Sequence, residues 1–220
     1  MARPDSGARQ KILDAALRQF AERGFAGASV QQIADKAKVT KPVLYYHFGS
    51  KAGLFRALIE WAHEERLRLT QSAAGRGGNL PAKLVEILAA TFEFVRKNRE
   101  LTRLSYSTAF AARGEVPVEA KCHERGKCIF DYIQELVRDG VKERTLSRNF
   151  DSEALAMGIF GVMNFNVMVH LLFPDYALTR RKAEKIVELY LRGAEAPRRP
   201  LRAARAAPPA LPGAPGNSRR

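Results

Sequence analysis

Between Thr40 and His47 the chain reads TKPVLYYH, which sets a hydroxyl, an ammonium, two phenols and an imidazole along one short stretch. Groups of these types donate hydrogen bonds to phosphate oxygens and base edges, and the Lys adds counterion release on a polyanion. The other reactive side chains are scattered. Cys122 and Cys128 stand six apart, about 240° round a helix, so they cannot hold one ion together. Glu119, Cys122 and His123 share a helical side and form the best case for a metal or redox site, although a lone apolar Cys ordinarily serves as core. His63 and His170 are single. There is no P-loop, no GxSxG and no GxGxxG placed after a strand. The sequence therefore predicts no enzyme, no metal and no cofactor.

The elements that must hold the TKPVLYYH stretch are legible on either side of it. Ser29 followed by Gln32 is a capping-box pattern that starts a helix. Ile33, Ala34 and Ala37 recur at one-turn spacing and turn Gln31, Asp35 and Lys38 outward. That helix stops near Lys38 and Val39. Thr40 offers a second cap, and Pro42 falls in the first turn of the next helix, where its missing N–H costs nothing. Leu44 and Phe48, four apart, form the buried ridge of this second helix. Tyr45, Tyr46 and His47 cannot all point inward beside them. Upstream, Ile12, Leu13, Ala16, Leu17 and Phe20 give a supporting helix from Arg9 to Arg23, which Gly24 is expected to end in a left-handed cap. Downstream, Ser50 opens a fourth helix with Leu54, Phe55, Leu58 and Trp61 as its apolar face, running on toward Leu69.

A short helix, a turn, then TKPVLYYHF followed by GSKAGLF resembles the helix-turn-helix of the tetracycline-repressor (TetR) family of bacterial transcriptional regulators, over about residues 8 to 60. The resemblance implies that Thr40, Lys41, Pro42, Val43 and Tyr45 meet base edges or phosphates in the major groove. It implies that Tyr46, His47 and Lys51 hold phosphates, and that Ser29, Val30 and Gln31 set a helix N-terminus against the DNA backbone. Free N–H groups at a helix start suit phosphate, and Pro42 and Val43 suit a thymine methyl. Two positions depart from the family pattern. Lys38 stands where Gly is usual in the turn, so a left-handed Lys is expected there at a cost of about 1 kcal/mol. Ala52 and Gly53 follow Ser50 and Lys51 where acidic residues are common.

Composition agrees with an anionic partner. The 220 residues carry a formal net charge of +14 and are 46% hydrophobic, enough for a real core. The surplus is uneven: residues 194 to 220 hold six Arg against one Glu, while residues 1 to 50 hold eight Lys and Arg against four acids. Two cysteines make no disulfide framework and the N-terminus lacks a signal-peptide pattern, so a bacterial cytoplasm is the expected location.

The remaining chain reads as helices too. AAGRGGN, residues 73 to 79, is the clearest internal break. Helices are expected over Pro81–Lys97, Arg99–Ala112 and Glu119–Arg138, the last with Cys122, Ile129, Ile133 and Leu136 along one face. Ala154–Phe173 is nearly apolar for its whole length. That matches a membrane span, but Asn164, Asn166 and His170 lie inside it and no second span exists, so it is expected to be a helix buried all round. Gly158 and Gly161 would permit close helix approach. The last helix, capped by Thr179, has Ile186, Leu189 and Tyr190 as its apolar side. The resemblance makes these last two helices the dimer-forming pair, and two-fold symmetry follows. From Ala194 onward the Pro-, Ala- and Arg-rich sequence reads as a disordered tail.

The expected fold is all-α: an N-terminal helix-turn-helix domain over residues 6–66, with its reading unit at 29–48, and a larger helical domain over 79–193 for effector binding and dimerisation. The resemblance implies a homodimer that binds a palindromic operator on double-stranded DNA and releases it when a small apolar or aromatic molecule binds. Phe92, Tyr106, Phe110, Phe130 and Met163 are the expected pocket lining. Gly158, Gly161, Ile186, Leu189 and Tyr190 are the expected dimer interface. The alternative is an architectural DNA binder held by charge, with no effector.

Overall fold

The computed structural model describes residues 6–112, 114–118 and 123–194. Nine helices follow one another in these residues: α1 (Ser6–Gly27), α2 (Val30–Ala37), α3 (Lys41–Phe48), α4 (Lys51–Ala74), α5 (Leu80–Lys97), α6 (Arg99–Phe110), α7 (His123–Lys142), α8 (Ser152–Leu172) and α9 (Arg180–Ala194). Residues 195–220 and Cys122 lie outside the described residues, and with them the predicted tail and the Glu119–Cys122–His123 side-chain set. The other predicted cysteine, Cys128, is exposed on α7.

Two hydrophobic cores organise the helices. The first joins α1, α2, α3 and the N-terminal half of α4 around Ile12, Phe20, Ile33, Leu44, Leu54, Phe55 and Leu58, and it also takes in Phe94, Leu101 and Leu104 from α5 and α6. The rings of Phe20, Phe25 and Phe55 meet edge to face, with centroids 4.9 Å and 5.3 Å apart about Phe55, a preferred aromatic geometry. The second core lies between α5, α7, α8, α9 and the C-terminal end of α4, around Leu84, Ile87, Phe92, Ile133, Ile159, Met163 and Val187. One helix, α4, therefore contributes to both.

Local signals explain most helix ends. The Ser29 hydroxyl accepts from Gln32 N–H at 3.5 Å, Ser50 from Gly53 N–H at 2.9 Å, and Asn79 from Ala82 N–H at 3.0 Å. Asp151 accepts from the N–H groups of Glu153 and Ala154, and Thr179 from Lys182 N–H. Thr40 behaves differently from its prediction: it has the extended backbone of an N-cap, but its hydroxyl makes no capping bond. Pro42 supplies the preset φ instead. Gly24 takes the left-handed φ of 67° that was expected, yet the helix resumes beyond it and runs to Gly27. The chain kinks at Gly24, and Phe25 just beyond it lays its ring against Phe55.

The largest departure from expectation is α8. Its hydropathy is uniform, but only one side is buried, through Leu155, Ala156, Ile159, Met163, Asn166, Val167 and His170. The opposite side leaves Met157, Val162, Phe165 and Met168 in the open, and Phe165 is 60% exposed. Among the described residues α8 is also the one helix long and apolar enough to cross a membrane. Its buried polar groups are fixed inside the protein: Tyr176 Oη donates to Asn166 Oδ1 at 2.5 Å, Asn166 Nδ2 donates to Val162 O at 2.8 Å, and His170 Nδ1 lies 2.8 Å from Tyr176 O.

Candidate nucleic-acid interface and effector cleft

The helix-turn-helix is built on Leu44, which is fully buried and pins the middle of α3 to the first core. With that one residue turned inward, helical geometry throws Lys41, Pro42, Val43, Tyr45 and Tyr46 outward. All five are exposed, Tyr46 to 74% and Tyr45 to 44%. Phe48 is only half-buried, and the guanidinium of Arg9 covers its ring with Cζ 5.5 Å from the centroid. His47 is half-buried between its neighbours' rings, 5.5 Å from that of Tyr46. Thr40 and Gln31 are exposed, while Ser29 and Val30 are half-buried at the start of α2.

The turn between α2 and α3 runs through Lys38, which adopts φ 57° and ψ 44°. Its N–H donates to the carbonyls of Ala34 and Asp35, closing α2 in a left-handed cap without glycine. The Lys38 side chain joins those of Lys11, Arg18 and Lys36 around a groove of about 540 Å³ between α1 and the turn, with Asp14 as its acid. Of these cations only Lys38 was singled out in the sequence, because Lys11 and Arg18 meet the turn only through the fold.

Behind the reading helix, α4 approaches very closely. A Cβ on Gly53 would lie 2.1 Å from the Phe48 carbonyl oxygen, so the first turn of α4 can sit there only without a side chain. The unusual Gly53 thus has a steric reason. Lys51, expected on phosphate, has another engagement: its Nζ donates to Ala26 O at 3.0 Å and lies 4.9 Å from the Phe25 ring centroid. Desolvation holds its pKa below the usual lysine value. This ammonium therefore ties α4 to the end of α1.

The five predicted pocket residues separate into two groups. Phe92 and Met163 are sealed in the second core, and Phe130 packs its ring on Phe160 at 5.6 Å. Tyr106 and Phe110 do line an open cleft, of about 390 Å³, between α4, α6, α7 and α8. Phe160, Gly161, His63 and Arg66 complete its walls. Tyr106 Oη donates to Asn164 Oδ1 at 2.6 Å, and Asn164 Nδ2 donates back to Phe160 O at 2.8 Å, so the polar rim is internally satisfied. Burial raises the Tyr106 pKa, with the Arg66 charge partly opposing it. No short-range signal marks His63 and Arg66 as neighbours of Tyr106, some forty residues further on.

The predicted dimer residues also divide. Leu189 is 74% exposed, and Gly158 and Gly161 are exposed too, Gly158 beside the Tyr190 ring and Gly161 at the cleft. Ile186 and Tyr190 instead pack on the second core. Tyr190 Oη donates to Leu155 O at 2.7 Å, joining α9 to α8, and burial pushes its pKa up to about 12. Trp61, expected on the apolar face of α4, is at the surface. Among the described residues no group of three His, Cys, Asp or Glu is placed to hold a metal.

These features define an all-α protein with an N-terminal helix-turn-helix set on a larger helical domain. Residues 12–58 match the family model described as "Bacterial regulatory proteins, tetR family". The chain is 29% identical over 132 residues to the HTH-type transcriptional activator FasR of Mycolicibacterium smegmatis, a match covering 59% of this chain and 60% of that one. It is 26% identical over 195 residues to the HTH-type transcriptional regulator AcrR of Shigella flexneri, covering 83% and 89%. The crystal structure of the transcriptional regulator FadR from Bacillus subtilis, in complex with stearoyl-CoA, superposes with a TM-score of 0.71 at 19% identity, over 84% of this chain and 98% of that one. Residues 12–58 thus carry the likeness to the TetR family's helix-turn-helix, and the relatives that the chain is similar to are HTH-type transcriptional regulators.

Proposed function

We propose that the chain is a homodimeric transcriptional repressor that grips a palindromic operator through two copies of α3 and releases it when a small, largely apolar molecule enters the cleft. The observation that carries this reading is the outward display of Lys41, Tyr45 and Tyr46 over a fully buried Leu44. Hydroxyls, an ammonium and aromatic faces on a short helix with a free N-terminus suit the major groove and its phosphates. Lys41 and the cations around Lys38 supply the sequence-independent part of the affinity. Two copies would pair through the open side of α8, since a monomer seldom leaves so many large apolar groups exposed on one helix. The regulator would act on chromosomal DNA in a bacterial cytoplasm.

Coupling runs along α4. Its Leu54, Phe55 and Leu58 belong to the DNA-binding core, while His63 and Arg66, two turns on, face the cleft. A ligand that binds more tightly to one tilt of α4 shifts the spacing of the two α3 helices. FasR is named an activator, so the sign of regulation has its own test: a promoter carrying the selected operator, fused to a reporter, should lose output when the chain is expressed. Operator recognition is tested by gel shifts at rising salt with the operator and a scrambled duplex. The operator should stay the tighter ligand at every salt; equal affinities throughout would favour the architectural DNA binder.

A further inference from the structure

The cleft beside Tyr106 holds one cation that nothing in the described protein answers. Arg66 is half-buried on α4 and lines the cleft, yet among the described residues it forms no ion pair. Its neighbours on the same helix are committed to each other, since Arg68 bonds Glu65 at 2.6 Å and 2.7 Å. The amide and phenol on the rim are also spent, each on the other. His63 and Ser105 add two polar side chains, the Ser105 hydroxyl spent on Leu101 O at 3.0 Å. The remaining wall is apolar: Phe110, Ile129, Phe160, Ala109 and the bare backbone of Gly161, on which a Cβ would meet nothing within 4 Å. An unpaired guanidinium set into apolar surroundings favours an anion that can desolvate with it, and its planar fork fits a carboxylate with two parallel hydrogen bonds.

We infer that the effector of this protein is an amphipathic carboxylate, its apolar body in the cleft between α6 and α8 and its head group on the Arg66 guanidinium. This rests on the effector-responsive reading above and narrows it from apolar molecules to apolar acids. At about 30 Å³ per water-sized atom, 390 Å³ accommodates roughly a dozen non-hydrogen atoms. That is the size of a medium-chain fatty acid or an arylalkanoic acid. One guanidinium matches a single negative charge, whereas a phosphate monoester would bring close to two. Because Arg66 lies on the helix that also enters the DNA-binding core, a carboxylate pulling on it acts directly on α4.

The test is calorimetric titration of the full-length, DNA-free protein with decanoate and with decanol, which share a tail and differ in the head group. Decanoate should bind about tenfold or more tightly than decanol, the worth of one charge-assisted hydrogen bond. Arg66→Met keeps the apolar stem and removes the charge, and it should bring the two ligands to within about threefold of each other; Arg66→Lys should keep a preference for the acid. Equal binding of acid and alcohol by the unsubstituted protein overturns the inference, as does binding of neither, or a preference for decanoate that survives Arg66→Met. A parallel gel shift of the same protein on its operator separates the two readings. Operator binding without acid preference sinks only this inference, and acid preference without operator binding sinks only the regulator.

Discussion

Two helices of this protein leave large side chains in water, and they do so with opposite chemistry. On α3 the exposed groups include Lys41, Tyr45 and Tyr46, each able to donate a hydrogen bond, beside Pro42 and Val43. On α8 they are Met157, Val162, Phe165 and Met168, none of which can. A face that keeps donors and positive charge can exchange water for phosphate and base edges, and it stays soluble until it does. A face of Met, Val and Phe gains only by meeting another apolar surface, and the two-fold related α8 of a second copy is the self-complementary candidate. Exposed bulk thus predicts a nucleic-acid partner in one place and a protein partner in the other.

Placing a charge on the apolar face tests this contrast most severely. Phe165→Asp should raise the dimer dissociation constant by two orders of magnitude or more, because a buried carboxylate without a partner costs several kcal/mol. Sedimentation velocity reads the result, and a variant that stays dimeric at micromolar concentration would remove α8 from the interface. Operator affinity should fall with dimerisation, since each copy carries one reading helix.

The converse substitutions on α3 should leave assembly alone. Tyr45→Ala and Lys41→Ala are each expected to weaken operator binding by about 1–3 kcal/mol in gel shifts, with Lys41→Ala also lowering the salt slope by about one. Dimerisation and the melting temperature should hardly move. A comparable loss of fold would mean that these side chains support the core.

Two smaller effects sharpen the account of how α3 is held. Gly53→Ala forces a methyl against the Phe48 carbonyl and should cost about 1–3 kcal/mol in denaturant unfolding. Lys38→Gly relieves a left-handed lysine and should stabilise by up to about 1 kcal/mol, a rise in melting temperature of about 2–4 °C. A drop in melting temperature for Lys38→Gly would show that the lysine contributes more through its side chain than it loses in backbone strain.

The reading unit was legible because everything that shapes it is local. The Ser29 cap, the Ile33, Ala34 and Ala37 spacing, the left-handed Lys38 and Pro42 all act within a few residues of one another, and the structure forms α2 and α3 where they direct. What the sequence did not show has the opposite character. Lys51, expected on phosphate, also meets Ala26 O, twenty-five residues earlier in the chain, and only the fold brings the two together. Phe92 and Met163 looked like pocket lining because an aromatic or Met at helical spacing is silent on whether it meets a cavity or a neighbour.

What the sequence determined alone is the set of helices, most of their caps and the outward face of α3, since capping and 3.6-residue periodicity need only neighbours along the chain. The tertiary structure alone decided which side of α8 is covered, because a uniformly apolar helix carries no periodic signal to orient it. It alone also brought Arg66 of α4 to Tyr106 of α6 and Phe160 of α8, since a cleft is a property of packed helices and no one of them encodes it.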